Sequence, residues 1–173
     1  DALSAWLRDR GWDSRAKAIP VDGRDAASLA SAMSRPLDVV IDLQPKWLAA
    51  NAARAAIARG VPLVNATFST PEFKALDASA RAAGVTLLPE FGLDPGLDLV
   101  MLGDAARSLD VVDEIHSYGS GIPEWSAADN PLHYKISWSF EGVLDAYRRP
   151  ARVVKQGKVV DIASDAIFAP ANV

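Results

Sequence analysis

Asp38-Val39-Val40-Ile41-Asp42-Leu43-Gln44-Pro45 leads into an alanine-rich stretch, Trp47 to Arg59, which Gly60 stops before Pro62-Leu63-Val64-Asn65-Ala66. The run Asp38 to Leu43 reads as continuously apolar, as expected of a parallel strand covered on both faces. The small side chains that follow let a helix lie close to a sheet, and Pro62 to Ala66 is the returning strand. Strand, helix and strand joined this tightly predict a right-handed βαβ crossover and a parallel sheet.

The alternation continues outward on both sides. Upstream, Asp1 to Gly11 predicts a helix with Leu3, Trp6 and Leu7 on one face, Ala16 to Val21 a short strand, and Ala26 to Met33 a brief helix. Downstream, Ser69-Thr70-Pro71-Glu72 opens a helix to Ala83 with a hydroxyl cap and a first-turn proline, and a strand follows over Val85 to Pro89. Past Leu109 the pattern changes. Val111 to Tyr118 alternates, a loop rich in Pro, Ser and Ala precedes Tyr134 to Ser139, and Ala151 to Ile162 reads as two short strands around a turn. The expected fold class is therefore α/β in two parts. Residues 1–110 are expected to form the C-terminal part of a Rossmann-type parallel-sheet domain, and residues 111–173 part of an α+β domain with a mixed or antiparallel sheet.

Composition narrows the function. The net charge of -4 and the lack of a basic stripe argue against nucleic acid as a partner. With no cysteine, disulfides, zinc-thiolate sites and cysteine nucleophiles are excluded, which suits a reducing cytoplasm. No apolar run approaches the ~20 residues that cross a bilayer, so no membrane is expected. His116 and His133 are the only histidines and lack convergent carboxylates, so no metal site is expected.

Phe91-Gly92-Leu93-Asp94-Pro95-Gly96 stops a buried strand abruptly, because proline fixes one turn dihedral and glycine supplies a positive φ at the next position. Parallel strands open their carboxyl ends onto one edge. Leu93 and Asp94 should therefore cluster with Leu43-Gln44-Pro45 and Asn65-Ala66-Thr67-Phe68. Asp94 either reaches a ligand or accepts backbone N–H groups of its own turn. The other two turns either contact a ligand or cap the next helices. In Tyr134 to Ser139, alternation sets Tyr134, Ile136 and Trp138 on one face and Lys135, Ser137 and Ser139 on the other. That polar face either holds an amino-acid carboxylate or meets solvent.

Gly92-Leu93-Asp94-Pro95-Gly96, together with Asn130-Pro131-Leu132-His133-Tyr134-Lys135-Ile136-Ser137-Trp138-Ser139, resembles the saccharopine dehydrogenase family, and the likeness covers most of Asp38 to Val160. It implies an oxidoreductase that uses NAD or NADP on the C–N bond of an amino acid or its imine, with a saccharopine- or lysine-like substrate. It also implies Asp94 as a catalytic residue, and Leu43, Gln44, Pro45, Asn65, Ala66 and Leu93 against the cofactor. Thr67, Phe68, Lys135, Ser139, Phe140, Glu141 and Gly142 would face the substrate.

None of the 11 glycines forms the Gly-x-Gly-x-x-Gly that seats a pyrophosphate on a helix N-terminus. The chain is accordingly read as an internal fragment, inactive alone, with the pyrophosphate site elsewhere. Its expected partners are an amino-acid substrate, the remainder of the fold from the same gene or a companion chain, and a second copy in a homodimer. The rival reading is a non-catalytic ligand-binding or assembly module that keeps the family scaffold.

Three positions depart from the saccharopine-forming enzymes: a cysteine is lost within Ser117-Tyr118-Gly119-Ser120-Gly121, Leu99 replaces a histidine, and Glu141 replaces an arginine. Phe68 also stands where those enzymes carry a tyrosine that touches substrate. A guanidinium binds a carboxylate bidentately and a glutamate repels it. A substrate with fewer carboxylates than saccharopine, or with a free amine, suits Glu141 better.

Overall fold

The computed structural model describes residues 2–119, 122–135 and 139–170. The chain divides into two compact units, Asp1–Ser117 and Tyr118–Val173.

The first unit is built on a parallel sheet of β1 (Val40–Asp42), β2 (Leu63–Asn65) and β3 (Leu87–Leu88), in that order. Val40 pairs with Leu63 and Asp42 with Asn65, and Leu63 pairs in turn with Leu87. Its helices are α1 (Ala2–Asp9), α2 (Ala26–Ala32), α3 (Ala49–Arg59), α4 (Pro71–Lys74), α5 (Asp77–Ala82) and α6 (Leu97–Arg107).

Helix α3 makes the core. Ala49, Ala52, Ala53 and Ala56 recur at helical spacing of three and four, and all are buried against Leu63 and Phe73, with Val40, Leu76 and Leu87 at the margin. Side chains this small bring the helix backbone close to the sheet, as the alanine-rich sequence predicts. Ala53 is 0% exposed, so a longer side chain has nowhere to go. Ala53→Leu is expected to destabilise the protein by about 1–3 kcal/mol through overpacking. Urea unfolding checks this, and unchanged stability would contradict the close approach.

Three expected elements differ. Ala16 to Val21 forms no strand, because the sheet of β1, β2 and β3 offers it no neighbour and an unpaired strand leaves its backbone groups unsatisfied. Val111 to Tyr118 likewise finds no ladder among the described strands. The helix expected from Ser69 to Ala83 is split into α4 and α5. The Thr70 hydroxyl caps α4 by accepting from the Phe73 N–H at 3.2 Å. The Leu76 N–H then donates to the Phe73 carbonyl at 3.1 Å, one residue short of α spacing, and this tightened turn separates the two helices.

The second unit holds a short 3-10 turn (Trp125–Ala127), helix α7 (Phe140–Ala146) and a hairpin of β4 (Ala151–Lys155) with β5 (Lys158–Ile162). The hairpin closes through Gln156 (φ 51°) and Gly157 (φ 70°). Two successive positive φ angles make a turn whose twist matches the flanking strands, so this part of the sequence forms as predicted. In the strand expected over Tyr134 to Ser139, Ile136, Ser137 and Trp138 lie outside the described residues. Ser139 is the N-cap of α7 rather than a strand end, because its hydroxyl accepts from the Gly142 N–H at 3.1 Å.

Candidate active site

Because β1, β2 and β3 run parallel, the segments that follow them emerge on one edge. Leu43, Gln44 and Pro45 follow β1, Ala66, Thr67 and Phe68 follow β2, and the turn from Gly92 to Gly96 follows β3. Direct bonds tie these segments together. The Phe91 N–H donates to the Asn65 carbonyl at 2.9 Å, and the Ser69 N–H donates to the Glu90 carboxylate at 2.9 Å. Leu43, Phe68 and Leu93 are exposed apolar side chains on these segments.

Under this edge lies a buried polar network that the apolar reading of Asp38 to Leu43 missed. Asp42 and Asn65 are 3% and 1% exposed and stand opposite each other in the ladder. The Asn65 side-chain amide donates to one Asp42 oxygen at 2.7 Å. The other Asp42 oxygen accepts from the Gln44 backbone N–H at 3.1 Å and the Gln44 amide at 3.0 Å. Beyond them, the Asn65 side-chain oxygen accepts from the Thr67 N–H at 2.6 Å and the Thr67 hydroxyl at 2.7 Å. One carboxylate therefore fixes the turns after both β1 and β2. The available signal was an aspartate interrupting an apolar strand at the same register as an asparagine in the next.

The turn after β3 is a closed hook. The Gly92 N–H donates to the Pro95 carbonyl at 3.0 Å and the Leu97 N–H to the Gly92 carbonyl at 3.0 Å. Gly96 has φ 149°, and the Asp94–Pro95 peptide is cis. Pro95 and Gly96 are buried, whereas Asp94 is exposed. The Gly96 N–H is satisfied by the Asp98 carboxylate at 2.7 Å, the first acidic residue of α6. Among the described residues the Asp94 carboxylate accepts no hydrogen bond. The structural task that the sequence left open for Asp94 thus belongs to Asp98.

In the second unit, Asn130 organises its own loop. Its amide donates to the Tyr134 carbonyl at 2.7 Å and its oxygen accepts from the Leu132 N–H at 3.1 Å. The His133 ring, on a residue with φ 48°, stacks on Trp125 at 4.7 Å. The Lys135 ammonium lies 3.3 Å from Asp129 and holds that carboxyl below the usual carboxylate range. Lys135 is thus already engaged by a carboxylate, which a substrate carboxylate would have to displace. Ser139, Phe140, Glu141 and Gly142 form the cap and first turn of α7, with the Ser139 hydroxyl donating to Glu141 at 3.3 Å. An acid in a first helical turn is favourable, which accounts locally for Glu141.

Two family models match the chain: saccharopine dehydrogenase NADP binding domain over residues 4–88, and saccharopine dehydrogenase C-terminal domain over residues 92–172. The chain is 34% identical to a saccharopine dehydrogenase [NADP(+), L-glutamate-forming] of Pyricularia oryzae over 89% of its length, which is 35% of that relative. It is 39% identical to the mitochondrial alpha-aminoadipic semialdehyde synthase of Mus musculus over 84% of its length, 16% of that relative. Among solved structures, the apo histidine-tagged saccharopine dehydrogenase (L-Glu forming) from Saccharomyces cerevisiae superposes with a TM-score of 0.71 at 32% identity, covering 96% of this chain and 37% of that one. The chain thus spans about a third of the fungal relatives' length, and less of the animal one.

Proposed function

The chain belongs to the saccharopine dehydrogenase family, and on that premise we propose that it is part of an NAD(P)-dependent oxidoreductase acting on the C–N bond of an amino acid or its imine. The observation that carries this reading is the Asp94 carboxylate, presented without a hydrogen-bond partner among the described residues at the carboxyl edge of a parallel sheet. In α/β proteins that edge is where ligands bind.

The edge suits a nicotinamide. Exposed Leu43 and Leu93 offer apolar contact, and the turns at Gln44-Pro45 and Asn65-Ala66 are held rigid by the Asp42 network. When bound, a nicotinamide dinucleotide supplies hydride chemistry, and the protein supplies orientation and electrostatics. Asp94 can accept the proton that leaves the amine nitrogen as the C–N single bond becomes an imine. Thr67 and Phe68 hold the substrate from the β2 turn. Taken by itself, the second unit offers Lys135, Ser139, Phe140, Glu141 and Gly142 as proposed substrate contacts, with a substrate carboxylate exchanging for Asp129 at the Lys135 ammonium.

Residues 1–110 are assigned to dinucleotide binding and residues 111–173 to substrate binding and dimerisation. The proposed form is a cytoplasmic homodimer acting on a saccharopine- or lysine-like amino-acid substrate; the absence of cysteine suits a reducing compartment. Among the described residues no helix is long and apolar enough to cross a membrane.

Glu141 bears on the choice of substrate. Glu141→Arg in the full-length protein is expected to raise the kcat/KM ratio of saccharopine to lysine about tenfold, since reversing a charge beside a ligand changes selectivity by roughly 1.4 kcal/mol or more. An unchanged ratio would mean that Glu141 serves only the first turn of α7.

A further inference from the structure

We infer that Asp42 is a positioning residue which, acting through Asn65, commits the Thr67 hydroxyl to accept hydrogen bonds, so that the ligand group at Thr67 is an N–H donor such as a primary amine. The inference rests on the proposed placement of substrate at Thr67.

Hydrogen-bond polarity passes from Asp42 through Asn65 to Thr67. Three N–H groups converge on the Asp42 carboxyl: the Asn65 amide at 2.7 Å, the Gln44 N–H at 3.1 Å and the Gln44 amide at 3.0 Å. A carboxylate accepts and does not donate. Asn65 must therefore turn its NH2 group toward Asp42, which removes the ambiguity an asparagine normally has between its two ends. Its oxygen is then left facing Thr67, whose backbone N–H and hydroxyl both donate to it at 2.6 and 2.7 Å. A hydroxyl has one proton. Thr67 spends it on Asn65, and only lone pairs remain for anything bound at the edge. Asn65 is 1% exposed, so water does not compete for these bonds. Thr67 itself is partly exposed and reachable. A lone pair attracts an ammonium or amide N–H and repels a carboxylate, so this site selects against an acid placed here.

The test uses L-lysine and L-α-aminoadipate, which match in length but end in an amine and a carboxylate. Calorimetric titration of each into the full-length protein requires no turnover. Lysine is expected to bind about tenfold tighter than aminoadipate. Thr67→Val, close to isosteric, should erase that preference. Asp42→Asn should also reduce it several-fold, because an amide at position 42 can present either end to Asn65. In the Thr67→Val background, however, Asp42→Asn should have no further effect on the preference, whereas a merely structural role for Asp42 would lower both affinities equally in both backgrounds. Tighter binding of aminoadipate, a preference untouched by Thr67→Val, or no saturable binding of either ligand would overturn the inference. If Asp42→Asn does not fold, Thr67→Val alone still decides whether the hydroxyl accepts. Failure of the oxidoreductase reading looks different: NAD(P)-linked turnover is absent while the Thr67-dependent amine preference persists.

Discussion

Gly96→Ala is expected to destabilise the full-length protein by about 3 kcal/mol or more and to remove most of its activity. Gly96 sits at φ 149°, a region that side-chain-bearing residues rarely enter. A Cβ there would lie 2.8 Å from the Gly92 carbonyl carbon and would overlap the Gly92 oxygen. These are backbone atoms of a residue that makes both bonds closing the hook, one through its N–H and one through its carbonyl oxygen, so they cannot swing aside. Relief requires opening the turn, which combines a strained dihedral of about 1–3 kcal/mol with the loss of buried backbone hydrogen bonds. Chemical denaturation and steady-state kinetics read the two effects. Stability within about 0.5 kcal/mol of the parent, the usual range for a neutral surface change, would mean that the hook is not closed as described.

Asp94→Asn should separate chemistry from stability. Turnover is expected to fall at least about a hundredfold, the lower end of what a general acid or base contributes. Folding stability should stay within about 0.5 kcal/mol, because the carboxylate accepts no hydrogen bond among the described residues and Asp98 satisfies the turn instead. Asp98→Ala supplies the contrast, losing stability by leaving the Gly96 N–H without its acceptor. If Asp94→Asn lost stability and activity together, the residue would be structural after all.

The parts of this fold that were legible in the sequence are those whose signal is local. The alanine spacing of α3, the Thr70-Pro71 start of α4 and the Gln156-Gly157 turn each encode their own geometry, and each forms as read. Parallel strands also put their ends on one edge by topology alone, which is why Gln44, Asn65, Thr67 and Asp94 could be grouped without coordinates. What failed depends on partners. Ala16 to Val21 has the composition of a strand but no ladder to join, and Ser139 is decided by the helix it caps rather than by the alternation before it. Asp42 was hidden because an apolar run draws attention to its burial, whereas its meaning lies in the Asn65 facing it across the ladder. That Asp98 rather than Asp94 accepts a backbone N–H of this turn is likewise a matter of distance, which spacing alone does not give.

The most direct measurement is NAD- and NADP-linked oxidation of L-lysine and of saccharopine by the full-length protein, with Asp94→Asn assayed beside it. The account predicts saturable turnover of at least one of these amines, lost in the Asp94→Asn variant while the protein remains folded. Absence of dinucleotide-linked turnover with both, or an Asp94→Asn variant working at the parent rate, would contradict it.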